Sequence, residues 1–64
     1  MTVYEVNNGG NAVTVESTSM ASAVLNAAEE LNVYTGTFSV YNCMGDMHLG
    51  DYTWEEAQEE EAEQ

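Results

Sequence analysis

Cys43, Asp46, His48 and Asp51 fall within nine consecutive residues and bring together a thiol, an imidazole and two carboxylates. Zinc and copper accept these ligand types. The spacing matches no standard zinc motif, however, and one Cys with one His leaves a tetrahedral site incomplete without carboxylates. A Cys–His nucleophile also needs a third group to orient the imidazole and donors for an oxyanion. A chain of 64 residues has little concave surface on which to assemble them. The four residues are read instead as the polar turn and flanks of a β-hairpin, and no metal, cofactor or catalytic role is assigned to them. Cys43 is the only cysteine, with no internal disulfide partner, and is expected as a small buried hydrophobe.

Carboxylates are the other abundant chemistry. Adjacent pairs such as Glu29–Glu30 and Glu55–Glu56 point about 100° apart on a helix, so they are poor partners for acid–base work across a substrate. They are read as surface groups, and no enzyme is expected. The glycines of "NNGG" lie between two strand-like segments and do not open a helix, which makes them a hairpin turn and not a phosphate loop.

The charge balance is more informative than any motif. Twelve acids stand against no Lys or Arg, for a formal net charge of −12. With no Lys or Arg there is no P-loop lysine, arginine finger, Schiff-base amine or basic groove for phosphates. Direct binding to nucleic acid or to an anionic membrane is not expected. Uncompensated charge of one sign aids solubility but destabilises a compact state by self-repulsion. It is also unevenly placed, because the ending "TWEEAQEEEAEQ" holds six of the twelve acids between Glu55 and Glu63. The opening "MTVYEVNNGG" has neither the positive charge nor the apolar run of a signal peptide, and no stretch approaches a membrane span. The expected location is the cytoplasm.

The elements that position these groups follow from periodicity. A chain of this size is one small domain that buries only about 60% of its unfolded surface. Residues 2–7, "TVYEVN", and 12–16, "AVTVE", alternate and are rich in β-formers, with "NNGGN" as the turn between them. "STSMASAVLNAAEELN" then changes to a period near 3.6, with Met20, Ala23, Val24, Ala27 and Leu31 on one face. A hydroxyl among Ser17, Thr18 and Ser19 can cap its start, and Asn32 can stop it. Glu29 and Glu30 lie in its last turn, where the macrodipole disfavours negative charge by about 0.3–1 kcal/mol each. "VYTGTFSVYNC" reads as a third strand with Tyr34, Phe38 and Val40 on one face. "MGD" reads as a turn and "MHLGDYTW" as a fourth strand with Met47 and Leu49 facing one way. Most of Tyr4, Tyr34, Tyr41, Tyr52 and Trp54 are expected in the core.

The fold class is therefore α+β: a two-layer ββαββ arrangement with one helix packed on a mainly antiparallel four-stranded sheet, spanning residues 1–53. Residues 54–64 follow as an acidic helix or tail. Thr53 with Glu56 three residues later fits a capping box, and Glu, Ala and Gln favour helix. Like charges three and four apart oppose it. In a helix, Glu55, Glu59, Glu63, Glu56 and Glu60 share an arc of roughly 140°, while Trp54, Ala57 and Ala62 lie on the other side with Glu61 as the exception. Neighbouring carboxylates would then repeat about every 5.4 Å, a density close to that of a phosphate backbone, with one charge per roughly 3.4 Å of each DNA strand.

Over residues 2–53 the element order resembles the β-grasp layout of ubiquitin-like proteins, which implies an adaptor or carrier. Carriers of that family end in Gly-Gly, whereas this chain ends "EEEAEQ", leaving a non-conjugated adaptor as the alternative. In size, acidity and lack of a catalytic constellation the whole chain is similar to the phage-encoded nucleic-acid mimics, including anti-CRISPR and anti-restriction proteins. That resemblance implies an inhibitor whose partner is a basic, nucleic-acid-binding protein. Its contacts would come from Glu55, Glu56, Glu59, Glu60 and Glu63 around Trp54, joined by Glu29, Glu30, Asp46 and Asp51 where they share a side. Edge strands without a lysine to guard them leave a homodimer possible, although the net charge opposes it.

Overall fold

A computed structural model describes residues 1–62, with strands β1 (Thr2–Asn8), β2 (Asn11–Ser17), β3 (Thr37–Asn42) and β4 (His48–Thr53) and helices α1 (Met20–Leu31) and α2 (Trp54–Ala62). Gly9 and Gly10, at φ +58° and +92°, form the two-residue turn of the first hairpin, closed by the Asn8–Asn11 pair. Two consecutive positive φ values match the right-handed twist of the flanking strands and suit glycine. The four strands form one antiparallel sheet in the order β2-β1-β3-β4. Because β2 and β3 are both antiparallel to the β1 between them, they run the same way. Joining them takes a crossover, and α1 supplies it across one face of the sheet.

The register places Val6 opposite both Val13 and Val40, and Phe38 opposite Tyr52. With Val15 these residues face α1, and Val6, Phe38, Val40 and Val24 are fully buried. Ser19 is the N-cap of α1: its side chain accepts from the Ser22 N–H at 3.1 Å. Asn32 ends the helix in the left-handed region at φ +58°, its N–H reaching back to the carbonyls of Ala28 and Glu29. The α+β class and the ββαββ order read from the sequence are those observed, with α2 following β4.

Several details differ from expectation. The third strand begins at Thr37, so Tyr34 lies in the loop and not beside Phe38 and Val40. The left-handed Asn32 and Gly36, at φ +81°, turn the chain before pairing can start. Met47 and Leu49 are exposed. Pairing of Val40 with Gly50 and Tyr41 with His48 skips Leu49, a bulge that leaves Gly50 and Tyr52 facing the helices. Cys43 is exposed, because it begins the turn after β3 and has left the sheet's buried side. None of the tyrosines nor Trp54 is fully buried; Tyr4, Tyr52 and Trp54 pack around a core of Val, Ala and Phe38.

The last element is part of this core. Ala57 is fully buried, and α2 packs against α1 and against β4. On α1, Ala21, Leu25 and Ala28 form a second stripe turned by roughly 100° from the sheet-facing one. Ala21 and Ala28 are buried there and Leu25 partly so.

Candidate functional site

Two contacts set the direction of α2. At its start, Trp54 meets Tyr34, which follows the C-terminal end of α1, with ring centroids 5.4 Å apart in an edge-to-face arrangement. At its end, Glu61 Oε2 accepts from Ser19 Oγ, the N-cap of α1, at 3.1 Å. The helices are therefore antiparallel. Trp54, Ala57 and Glu61 stand at i, i+3 and i+7, one stripe of a helix, which accounts for the glutamate on the otherwise apolar side.

The start of α2 has the capping box expected from Thr53 and Glu56. The Thr53 N–H donates to Glu56 Oε1 at 2.8 Å, and the Glu56 N–H donates to Thr53 Oγ1 at 3.2 Å. Glu55 and Glu56 occupy the first turn, where the macrodipole favours negative charge. Propensity and capping, together with the buried Ala57, outweigh the like-charge repulsion, each pair of which costs only about 0.2–0.5 kcal/mol.

With that stripe seated, Glu55, Glu56, Glu59 and Glu60 are exposed. Glu60 lies on the β4 side, near the Tyr52 hydroxyl. Partial burial raises the Tyr52 pKa above its ordinary 10.0, assisted by the charge of Glu60 and by nearby Tyr4 and Glu56. Among the described residues, Glu55 and Glu59 have no hydrogen-bonding or ionic partner within the chain. Glu63 lies outside the described residues.

The remaining acids divide. Glu29 joins α2: with Leu25, Tyr34, Trp54 and Gln58 it lines a solvent-open groove of about 490 Å³ between the two helices. Glu30 is exposed in the last turn of α1. Asp46 sits in the β3–β4 turn, bound to Asn42 through its Oδ1 at 2.7 Å and its N–H at 3.1 Å. Asp51 pairs with Ser39 in the sheet, and alternation from the helix-facing Tyr52 puts it on the opposite face from α2. There its Oδ1 lies 2.8 Å from His48 Nε2. The hydrogen bond to His48, and then one to Ser39, holds the Asp51 carboxyl below the usual carboxylate range.

The Cys43, Asp46, His48 and Asp51 cluster is dispersed by this geometry. His48 stacks obliquely on Tyr41, with centroids 5.3 Å apart, and is engaged by Asp51, while Cys43 and Asp46 belong to the turn. Among the described residues, no three His, Cys, Asp or Glu side chains are grouped to hold a metal ion. Nor is any described helix long and apolar enough to cross a membrane.

Periodicity did not single out Ser19 with Glu61, nor the groove. The available signals were the i+7 spacing of Glu61 from Trp54 and an aromatic two residues beyond the Asn32 stop. No protein-family model, curated protein or solved structure matches the chain.

Proposed function

We propose that the chain is an acidic protein-binding inhibitor that occludes the nucleic-acid-binding surface of a target protein. One observation carries this reading. A helix seated through Ala57, capped by Thr53 and tied at its far end to Ser19 presents Glu55, Glu56, Glu59 and Glu60 to solvent in a chain without one Lys or Arg. The missing cations then belong to a partner. Carboxylates one helical turn apart, at about 5.4 Å, approximate the charge density that a basic groove meets on a phosphate backbone. Long-range attraction of this kind accelerates encounter and is weakened by salt.

Glu55 and Glu59 carry the interaction most directly, since neither has an in-chain partner among the described residues. Glu29 adds to the same side, whereas Asp51 faces away from it. The adaptor reading draws only on element order, and nothing at the site favours it.

The test is capture of partners from a lysate by the intact protein and by a Glu55→Gln/Glu59→Gln variant, with duplex DNA and RNA added as competitors. The expected result is a nucleic-acid-binding protein at defined stoichiometry, displaced by nucleic acid and weakened in the variant. Capture that is indifferent to nucleic acid and to the two substitutions would overturn the proposal. Removing everything after Thr53 is not a clean alternative, because it uncovers Ala21 and Ala28.

A further inference from the structure

We infer that the groove between α1 and α2 is a subsite for a single arginine side chain of the partner protein; the inference rests on the reading above and assigns part of that contact. Its lining is unlike the rest of the acidic surface. Tyr34 and Trp54 supply aromatic surface, Leu25 an apolar wall, and Glu29 and Gln58 a carboxylate and a carboxamide. In the edge-to-face pair each ring covers only part of the other, so aromatic surface remains open to the groove that both rings line. Tyr34, 42% exposed, sits in a loop and contributes little to the core.

The chemistry selects the occupant. A guanidinium is planar, weakly hydrated and always charged, stacks on aromatic faces, and carries five donors in a fixed fork. It can lie on a ring while donating to both Glu29 and Gln58. A lysine ammonium is strongly hydrated and gains less from a flat wall, and a quaternary ammonium has no N–H for either polar group. No arginine or lysine of this chain can fill the groove, because it contains none. The indole beside the carboxylates of α2 also offers what one nucleotide offers, a flat π-face next to an anion. Arginines that contact single-stranded nucleic acid stack on bases in the same way.

Trp54 is the only tryptophan, so its emission reports on the groove directly. The experiment is a titration of the full chain with capped tetra-arginine and tetra-lysine peptides of equal charge, following Trp54 fluorescence and, separately, binding heat. The expected result is that the arginine peptide perturbs the indole and binds roughly three- to fivefold tighter than the lysine peptide, the ratio an exposed cation–π contact supports. That preference should narrow toward unity in Tyr34→Leu and in Glu29→Gln, both surface substitutions whose folding is checked by circular dichroism. If both peptides bind equally with no change in emission, and Glu55→Gln/Glu59→Gln weakens both, the arginine subsite is overturned while the acidic-helix reading stands. Absence of binding by either peptide also overturns the subsite, and capture of a nucleic-acid-competed partner would still decide the broader reading on its own terms.

Discussion

Ser19 Oγ and Glu61 Oε2 are 3.1 Å apart across 42 residues of sequence, and Ser19 Oγ at the same time accepts from the Ser22 N–H. The N-cap hydroxyl thus passes hydrogen bonding from the first turn of α1 to a carboxylate of α2. α1 has no acid in its own first turn, so Glu61 supplies the negative charge that a helix N-terminus favours. One of the acidic side chains of the C-terminal segment is structural.

Ser19→Ala is expected to cost about 1–2 kcal/mol, as loss of an N-cap does. Glu61→Gln alone is a poor indicator, since it also removes one of several crowded charges. The pair is therefore tested by a double-mutant cycle in urea, with a coupling of at least about 0.5 kcal/mol expected. Strict additivity would show that the two groups act independently.

Glu59→Gln is expected to separate stability from binding. It removes like-charge pairs with Glu55 and Glu56, four and three residues away, each worth about 0.2–0.5 kcal/mol. The variant should melt at a higher temperature yet associate more slowly with a basic partner, with a flatter dependence on salt. Glu55→Gln should gain less stability, because Glu55 lies in the first turn where its charge is favoured. A Glu59→Gln protein that is less stable than the parent would contradict this account of α2.

Ala57→Leu forces extra volume into the one fully buried position of α2 and should cost about 1–3 kcal/mol. Ala62→Leu, at an exposed site on the same helix, should stay within about 0.5 kcal/mol of the parent. Urea denaturation of both variants makes the comparison, and equal losses would mean that α2 is not seated through Ala57.

Tyr52→Phe should alter the alkaline limb of stability. The native hydroxyl keeps its proton above the ordinary value of 10.0, held by burial and by Glu60. As pH rises past that value the unfolded chain loses its proton first, so stability falls until the raised native pKa is passed; below it the contribution is intact. The parent's advantage over Tyr52→Phe should shrink as pH climbs above about 10. Chemical denaturation at neutral and alkaline pH checks this, and a constant gap between the two proteins would refute it.

Element order, the Gly9–Gly10 turn, the Ser19 and Asn32 limits of α1 and the Thr53–Glu56 box were legible because each depends on neighbours within a turn. The errors lie where tertiary packing decides. Sheet-facing periodicity found Ala23, Val24 and Ala27, while Ala21 and Ala28 are buried only because α2 returns over them. Tyr34 carries strong β propensity, but its neighbours Asn32 and Gly36 adopt positive φ and keep it out of the strand. Leu49 reads as part of a strand face, yet the bulge leaves it in solvent. The acidic arc of α2 followed from spacing alone; that Glu29 would join it and Asp51 would not depended on the antiparallel return and on the alternation of β4.

Ala57 is the only fully buried side chain of α2, and this has a consequence in time. A helix with little buried surface and repelling charges belongs to the least stable cooperative unit of a domain. Amide protons of α2 should therefore exchange with solvent well before those of β1 and β3, whose central residues Val6 and Val40 are sealed. Hydrogen exchange that was uniform across all six elements would contradict this. An element that lifts and reseats while the sheet stays folded would, under the proposed binding role, let its carboxylates settle against a partner's cations during encounter.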